Sequence, residues 1–379
     1  MPVVLRNRDI LVISGDVSGD FHAANLIREL KKQEPSLIVY SIGGLRSREV
    51  SDRFIYDVVS KGVFGFVSSI KSIQLWIKLI SIVRRFIEEK RPAFVITVDF
   101  FGFNRQVLGL CKKRQVPVYY YIPPQVWASR PKRAKTVAAN SKKIYAVFPF
   151  ELDIYTRLLG NVRYFGHPLS DFIPDVNLPR IFPDDRNIKI AILPGSRKCE
   201  IEMHLPVFYE VFSLLKKDFP SIEGYVFMVD EFSEIFYRSI IDIDSKIRFV
   251  YDRDYSIRKN MDFCLTCSGT ATLENALLGI PMVVGYKTSF INYELAKALI
   301  RIPYISLPNI ILSRESVKEF IQHSFKASVV YRHVLDILKN RSKYEKISQD
   351  MLEIKRMLSS SQKVVTAIAK DIISDFDIL

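Results

Sequence analysis

The chain has 379 residues, 48% of them apolar, so it is long enough for two domains with their own cores and is not an intrinsically disordered polymer. Its net charge is +14, and the whole excess lies in residues 1–165, which contain 27 Lys and Arg against 13 Asp and Glu. Four cysteines are too few for a disulfide framework, and no run of about 18 uncharged apolar residues predicts a spanning helix.

The N-terminal residues also show no signal peptide, since Arg6, Arg8 and Asp9 interrupt any apolar run. We therefore expect a cytoplasmic protein, either free or peripheral on a membrane. The basic first half suits an anionic membrane surface, an anionic substrate or a nucleic acid. A solubility device or composition bias is the alternative.

In chain order, short apolar segments alternate with helical ones, a pattern typical of α/β layers with parallel sheets. The first half predicts strands at 9–14, 37–42, 94–98, 116–122 and 144–148. A second series follows at 188–193, 225–229, 263–266 and 281–285. Ligands of open α/β sheets bind at the carboxyl ends of strands, which predicts a site between two such halves.

The two series predict two Rossmann-like domains, residues 1–165 and residues 166–340. The remaining residues, 341–379, read as a helical tail, which we place against the first domain. Residues 166–186 are rich in Pro and Asp and form the predicted connection.

The first predicted strand leads into a Gly-rich turn, SGDVSGD, and then a predicted helix over 21–32. Such a turn lets backbone approach a ligand, and the N–H groups that begin the helix attract an anion. Asp16 and Ser18 are therefore candidate site residues. Capping of the helix by Ser18 or Asp20 is the alternative.

Residues 63–87 combine a dense apolar patch with an amphipathic helical repeat. The patch contains Val63, Phe64 and Phe66, and apolar residues then recur at helical spacing with Lys and Arg between them. The pattern predicts a surface for a membrane or acyl chains. A core-facing helix is the alternative, and we expect the later part to be core and residues 63–67 to be exposed.

Asp99 follows the predicted strand 94–98 inside an apolar and aromatic run, VDFFGFN. Such surroundings raise the pKa of a carboxyl group and suit it to accepting a proton. A helix cap or a buried, hydrogen-bonded carboxylate is the alternative.

A proline-stiffened loop over 122–133 carries Trp127 and then the cations Arg130, Lys132 and Arg133. An exposed indole would stack on a sugar, and the cations would bind a phosphate. The alternatives are a tryptophan in the core and a solvated basic surface.

Two strand–turn–helix segments in the second half offer N–H donors to phosphate. One, LPGSR, ends at Arg197, whose charge would neutralise a pyrophosphate leaving group. The other contains Ser268, Gly269 and Thr270, with Glu274 one turn further on. Glu274 would bind ribose hydroxyls, or else favours the helix dipole.

Cys264 and Cys267 have zinc-like spacing but lack a second pair of ligands nearby, so we interpret them as packing residues. The five histidines are scattered without metal spacing. We predict neither a metal site nor a cofactor.

Taken in order, these segments resemble the lipid-A-disaccharide synthases, a family of GT-B glycosyltransferases, from about residue 9 to about residue 325. The matching pieces are SGDVSGD, VDFFGFN, PPQVWASRPKR, FPFE, GHPLSD, LPGSRKCEIE, SGTATLENALLGIPMVVGY and ISLPN. The resemblance implies a GT-B fold, in which two Rossmann-like domains face each other across a cleft.

The resemblance also implies the reaction. UDP-2,3-diacylglucosamine donates its sugar to 2,3-diacylglucosamine 1-phosphate with inversion and without a metal, giving the lipid A disaccharide 1-phosphate and UDP. An anionic inner-membrane surface, met from the cytoplasmic side, is the implied location. The basic half would meet the phosphorylated acceptor there, and Val63, Phe64 and Phe66 would meet its acyl chains.

By matching position, Asp99 is the implied catalytic base, and Arg197, the Ser268–Thr270 turn and Glu274 are implied to bind the nucleotide. Asn309 matches an active-site asparagine. Four motifs in the first half depart from the family pattern, among them the first loop, where Asp16 replaces Glu.

Two other functions remain open from the sequence. One is a different GT-B enzyme that uses UDP-N-acetylglucosamine, either an epimerase or a murein-pathway transferase. The other is a nucleic-acid-binding protein, suggested by the isoelectric point of 9.4. It lacks a helix-turn-helix, zinc or RNA-binding motif, so we expect no nucleic-acid partner.

Overall fold

The structure is a computed structural model, which describes residues 7–59, 70–127, 131–176, 178–183, 187–241, 247–290, 293–294, 297 and 302–378. The chain divides into two compact units, residues 1–171 with 360–379 and residues 172–359. The sequence placed the boundary at 165/166 and treated 341–379 as one tail. The structure instead assigns the two helices of that segment to different units.

The first unit contains a seven-stranded sheet. Its strands are β1 (Asp9–Ile13), β2 (Ile38–Gly43), β3 (Arg53–Asp57), β4 (Phe94–Val98), β5 (Val118–Tyr121), β6 (Lys143–Ala146) and β7 (Val162–Tyr164). Their order is β3-β2-β1-β4-β5-β6-β7, and every neighbouring pair is parallel. The strand order reverses between β1 and β4, the switch point at which doubly wound sheets bind ligands.

Helices cover both faces of this sheet. They are α1 (Val17–Gln33), α2 (Leu45–Val50), α3 (Ile70–Lys90), α4 (Phe101–Lys113), α5 (Lys132–Asn140) and α6 (Pro149–Thr156). In α3, Val83 and Ile87 are buried while Trp76 and Ile80 are half-buried, so the core-facing alternative holds for this helix. Val63, Phe64 and Phe66 lie outside the described residues.

The second unit contains a six-stranded parallel sheet. Its strands are β8 (Lys189–Leu193), β9 (Glu223–Phe227), β10 (Ile247–Val250), β11 (Phe263–Thr266), β12 (Met282–Tyr286) and β13 (Glu319–Ile321). The order β10-β9-β8-β11-β12-β13 is that of a Rossmann fold, with its switch point between β8 and β11. All nine predicted strands of the two sheets are present, and the edge strands β3, β7, β10 and β13 were not predicted.

In the second unit, the helices with described bounds are α7 (Lys198–Asp218), α8 (Glu234–Arg238), α9 (Thr270–Leu277), α10 (Leu307–Leu312), α11 (Ala327–Leu338) and α12 (Arg341–Leu358). The apolar side chains of α7 and α11 pack with those of β8, β9 and β11 in one core. No helix in the described part of the chain has the length and apolar character needed to cross a membrane.

A last helix, α13 (Val364–Ile378), belongs to the first unit, where it packs on α1. Its first turn is capped by Asp171, whose carboxylate oxygens accept from the N–H groups of Val364 (2.8 Å) and Val365 (2.9 Å). The buried ammonium of Lys143 on β6 binds two carboxylates of α13, Asp371 at 2.8 Å and Asp375 at 2.9 Å. The helix is thus tied to the sheet by charge as well as by packing.

Candidate functional site

Among the described residues, three of the nine non-glycine residues with positive φ lie at the carboxyl ends of β4 and β5. Asp99 and Phe100 have φ of 47° and 49°, and Ile122, directly after β5, has φ of 58°. Left-handed backbone is uncommon in residues other than glycine, and in a β-branched residue it is an outlier. Such strain clusters at functional sites, and here it lies beside the β1/β4 switch point.

Three hydrogen bonds fix the backbone of Asp99. Its N–H donates to the carbonyl of Tyr121 (2.9 Å), and its carbonyl accepts from the Tyr120 hydroxyl (2.7 Å) and the Asn104 amide (2.8 Å). The helix-cap alternative is wrong, because Phe100, and not Asp99, is the N-cap residue of α4. The structure therefore places the Asp99 carboxyl group without using it as a cap.

Burial and the negative charge of Asp16 raise the pKa of Asp99 to about 7, while a hydrogen bond from the Phe100 N–H opposes the rise. This is the direction expected from the apolar run around it. A carboxyl group with such a pKa is a stronger base than usual and is about half ionised near neutral pH. Asp99 is therefore chemically suited to accept a proton.

Asp16 is the N-cap residue of α1, and its carboxylate accepts from the Gly19 N–H at 2.6 Å. Gly15 lies against the Phe100 ring, and a Cβ atom there would stand 2.2 Å from a ring carbon. Glycine is thus required for the β1 loop to approach the residue after Asp99. Ser18 is exposed in the first turn of α1.

Capping of α1 by Ser18 or Asp20 is therefore wrong. Asp20 is buried, and its carboxylate instead accepts from the N–H groups of Gly44 (2.7 Å) and Arg46 (3.0 Å) at the start of α2. It supports the neighbouring loop rather than a ligand.

Trp127 is half-buried, which is intermediate between an exposed indole and a tryptophan in the core. Its Nε1 donates to the carboxylate of Glu151 at 3.3 Å, and its ring makes edge contacts with Phe148 and Phe150. The indole is therefore anchored on its N–H side while part of the ring remains accessible.

The basic cluster after Trp127 is only partly described. Lys132 is exposed at the start of α5, and the guanidinium of Arg133 lies over the Phe101 ring at 5.1 Å. Arg130 lies outside the described residues. Exposed Lys132 leaves both alternatives, phosphate binding and a solvated surface, open.

In the second unit, Arg197 follows β8, and 72% of its side chain is exposed. The expected backbone cradle at this turn is already occupied: the N–H groups of Ser196 (3.2 Å) and Arg197 (3.3 Å) donate to Glu200. Glu200 also accepts from the Arg197 guanidinium at 2.8 Å. The exposed guanidinium, rather than the backbone, is what this turn offers to an anion.

The Ser268–Thr270 turn follows β11 and begins α9. Gly269 has φ of 148°, a conformation that essentially only glycine adopts, and the space beside its Cα is open. Gly269, the N-cap residue of α9, has no side chain to cap the helix, so the first N–H groups are available to an anion. The Ser268 hydroxyl donates to the carbonyl of Ile305 at 2.7 Å, which fixes the turn.

Glu274 is held in place from two sides. Its carboxylate accepts from the Tyr255 hydroxyl at 3.1 Å and forms an ion pair with Arg258, which is 8% exposed. The Arg258 guanidinium also lies over the rings of Phe227 and Tyr255. Glu274 therefore does more than favour the dipole of its helix, because it is oriented as an acceptor.

Asn309 is fully buried, and its amide is used inside the protein. Its Nδ2 donates to Val317 and Glu319, and its Oδ1 accepts from Ser316 and Val317, all within 3.0 Å. These four bonds use the hydrogen-bonding capacity of the amide, so any role of Asn309 in the active site would be indirect.

Glu319 connects Asn309 to the Ser268 turn. Its Oε1 accepts from the Asn309 amide (2.8 Å) and from the N–H and hydroxyl of Ser306, and its Oε2 accepts from the Ile305 N–H (2.9 Å). The carbonyl of Ile305 in turn accepts from Ser268. Asn309 thus reaches the turn through a chain of hydrogen bonds.

Cys264 and Cys267 are buried, and burial raises the pKa of each thiol to about 12, in agreement with a packing role. Within the described ranges, no group of three or more His, Cys, Asp or Glu side chains is arranged to hold a metal ion.

Several residues that build these sites were not assigned a role from the sequence. Glu151 lies within the FPFE segment, and its position after a proline that begins α6 signals a helix start. Arg258 and Glu319 carry no local signal, because their partners lie 16 residues and 10 residues away in the chain. Their roles are visible only once the strands are assembled.

Comparison with known proteins agrees with the sequence and the fold. A model of the lipid-A-disaccharide synthetase family matches residues 10–373. A lipid-A-disaccharide synthase of Geobacter sulfurreducens is 31% identical over 357 residues, 93% of each chain. Lipid-A-disaccharide synthase 1 of Legionella pneumophila (strain Paris) is 30% identical over 93% of this chain and 94% of its own.

Solved structures share the fold at much lower identity. The UDP complex of MnaA from S. aureus has a TM-score of 0.65 at 14% identity, covering 98% of both chains. The UDP-GlcNAc 2-epimerase of Neisseria meningitidis has a TM-score of 0.62 at 13% identity, covering 98% of this chain and all of its own.

The glycosyltransferase of kitacinnamycin aligns over 98% of this chain and 99% of its own, with a TM-score of 0.61 at 12% identity. These neighbours and the two parallel sheets identify the fold class as α/β of the GT-B type. The family match over nearly the whole chain shows that this protein belongs to the lipid-A-disaccharide synthase family of glycosyltransferases.

Proposed function

We propose that the chain transfers the sugar of UDP-2,3-diacylglucosamine to 2,3-diacylglucosamine 1-phosphate, with inversion at the anomeric carbon. The products would be UDP and the β-1′,6-linked disaccharide 1-phosphate. One observation carries the proposal: Asp99 lies at the switch point of the first sheet, on strained backbone, with a pKa raised to about 7. Membership in the family supports the choice of substrates.

In the proposed step, the 6-hydroxyl oxygen of the acceptor forms a bond to the anomeric carbon of the donor. The bond from that carbon to the β-phosphate oxygen breaks, and its electrons leave with UDP. Asp99 accepts the hydroxyl proton, which makes the attacking oxygen a better nucleophile. A single displacement of this kind inverts the anomeric centre.

The negative charge that develops on UDP needs stabilisation, which we assign to the second unit. The exposed Arg197 guanidinium and the N–H groups at Gly269 and Thr270 are the proposed donors to the phosphates. Ser268 would hold their turn, and Glu274 would accept hydrogen bonds from ribose hydroxyls. The mechanism thus uses protein donors, and no metal ion takes part in it.

We assign the acceptor to the first unit, which would act at the inner face of the inner membrane. Its basic composition suits a phosphorylated lipid on an anionic surface, with Arg130, Lys132 and Arg133 as candidate phosphate contacts. The 63–66 segment would contact acyl chains.

The test is an assay with both lipid substrates on wild type and Asp99→Asn. We expect wild-type kcat/KM to rise with pH through about 7, and Asp99→Asn to lose roughly 10²- to 10⁴-fold in kcat. Full turnover by Asp99→Asn would defeat the assigned base. Conversion of UDP-N-acetylglucosamine to its 2-epimer, without disaccharide from the lipid substrates, would favour the epimerase alternative.

A further inference from the structure

Glu151 is a fully buried carboxylate that the proposed step does not use. Its Oε2 accepts from the N–H groups of Val147 (3.0 Å) and Phe148 (3.1 Å), where β6 turns into α6. Its Oε1 accepts from the Trp127 indole at 3.3 Å. Burial of a carboxylate costs free energy unless it is well hydrogen-bonded, so we expect a role of Glu151 beyond capping a short helix.

The hydrogen bond to Trp127 points to such a role. Phe148 and Phe150 stack on each other with ring centres 5.4 Å apart, and Trp127 meets both rings edge-on. Glu151 therefore binds one member of this aromatic cluster through its indole and another through its backbone. It fixes both the tilt and the position of the indole at the carboxyl edge of the first sheet.

We propose that Glu151 is a positioning residue for the acceptor: it holds Trp127 so that the accessible part of the indole packs against the acceptor sugar. This inference rests on the proposed function, which supplies the sugar. An aromatic ring with one polar handle is suited to the role, because the N–H fixes its orientation while its face stays apolar. Glu151 itself does not contact the substrate.

The surroundings of Glu151 make this arrangement sensitive to pH. The pKa of Glu151 is raised to about 7: burial is the largest cause, the three N–H donors oppose the rise, and the charge of Asp99 adds to it. Tyr155 on α6 and Tyr164 on β7 also face the carboxylate. Protonation turns one oxygen into a donor, so the acid form cannot accept all three N–H groups.

The indole bond is the longest of the three, and we expect it to be lost first as the pH falls. Trp127 is therefore held most firmly above pH 7. The carboxylate form of Glu151 is the form that binds the indole, and it is the form present above the pKa.

The chain has two tryptophans, so Trp76→Phe leaves Trp127 as a single fluorescent reporter. In this background, quenching of Trp127 by acrylamide should fall as the pH rises, with a midpoint near 7. Adding Glu151→Gln should abolish the transition and leave the indole more accessible at all pH values. Asp153→Asn, an exposed change on the same helix, is the matched control and should keep the transition.

Kinetics provide the second readout. In an otherwise wild-type chain, Glu151→Gln should raise the KM for the acceptor roughly three- to tenfold and leave the KM for the donor unchanged, since one hydrogen bond is lost on the acceptor side only. A merely structural role would change both or neither. Unchanged acceptor KM together with unchanged quenching in the Glu151→Gln chains would overturn the proposal.

If Glu151→Gln does not fold, Trp127→Phe tests the same bond, because it keeps a ring and removes the N–H. It should raise the acceptor KM by a similar factor, and wild-type kinetics in this variant would overturn the proposal. The fluorescence experiment needs no substrate. A wild-type chain that forms no disaccharide would therefore refute the proposed function separately.

Discussion

At the scale of single residues, the chemistry of the first unit depends on where one carboxyl group sits. Asp99 combines left-handed backbone, partial burial and a neighbouring carboxylate, and each of these opposes ionisation or costs conformational energy. A stable protein keeps such a group only where the surrounding contacts hold it. The Tyr120 hydroxyl and the Asn104 amide, which bind the Asp99 carbonyl, are such contacts.

The electrostatic effect of Asp16 can be isolated. Asp16→Asn removes a negative charge next to Asp99 and should move the acidic limb of the kcat/KM profile to lower pH. The limb should stay above the pH of an ordinary aspartate, because burial, the larger cause, remains. Asn is as good an N-cap residue as Asp, so α1 should keep its stability.

Asp9→Asn makes the same charge change at the opposite edge of the sheet and is the control for this effect. It should leave the limb in place. A limb that moves upward in Asp16→Asn, or moves equally in both variants, would contradict the account of how Asp99 is tuned.

At the scale of elements, hydrogen-bonded chains fix the loops that end the strands. In the second unit, Glu319 at the start of β13 binds four donors from Asn309, Ile305 and Ser306, and Ser268 binds the same loop. Only an acceptor without protons meets four donors. The edge strand therefore supports the turn that we assign to the phosphates.

Glu319→Gln should disrupt this support, because the NH2 group of the new glutamine is a donor and would face other donors. We expect a loss of about 1–3 kcal/mol in the free energy of unfolding. We also expect a roughly tenfold weaker affinity for UDP, measured by calorimetry. Glu315→Gln, an exposed change that removes only a surface ion pair with Lys318, should alter neither quantity. An unchanged affinity for UDP in Glu319→Gln would show that Glu319 does not support the Ser268 turn.

A second element-scale prediction concerns α13. Replacing both Asp371 and Asp375 by Asn leaves the ammonium of Lys143, which is 4% exposed, without either carboxylate. We expect a loss of about 3–5 kcal/mol in the unfolding of the first unit, measured by denaturation.

Lys143→Met in the same background should recover much of that loss, since an apolar side chain of similar volume needs no counter-charge. Glu89→Gln, which removes a solvent-exposed pair with Arg85 in the same unit, is the control and should have little effect. A small loss on removing both carboxylates would mean that Lys143 finds other partners.

The interior strands were predictable because parallel strands buried on both faces form continuous apolar runs, as in FVITV at 94–98. The edge strands β3, β7, β10 and β13 were not, because they are short and partly exposed. Among site residues, Asp99 and Arg197 were found because both follow a strand and precede a helix. Glu151 and Glu319 were missed because contacts between separate loops define their roles.

At the scale of the whole molecule, charge is divided unevenly between the two units. The first unit contains 29 Lys and Arg against 17 Asp and Glu, whereas the second contains 26 against 24. Such asymmetry creates a long-range field on one unit only, which attracts an anionic surface from a distance set by the ionic strength.

We therefore expect the protein to pellet with vesicles that contain phosphatidylglycerol and not with purely zwitterionic vesicles. Pelleting should fall steeply between about 0.05 and 0.5 M salt as the Debye length shrinks. Equal binding to both kinds of vesicle, or binding unaffected by salt, would contradict an electrostatic contribution from the first unit.

Two triple variants locate the field. Each replaces three exposed lysines by glutamine: Lys112, Lys132 and Lys135 in the first unit, or Lys259, Lys326 and Lys346 in the second. Only the variant of the first unit should bind vesicles more weakly. Equal losses from the two variants would show that total charge, not its distribution, matters.

The return of α13 to the first unit also constrains the order in which the protein can fold during synthesis. Asp171 and Val364, whose hydrogen bond begins that helix, are 193 residues apart in the chain. All of the second unit leaves the ribosome between them, and domains generally fold as units as they emerge. The unit that is translated first is therefore completed last. Until α13 is synthesised, the face of the sheet that it covers, with Lys143 and Tyr145, stays exposed to solvent in the growing chain.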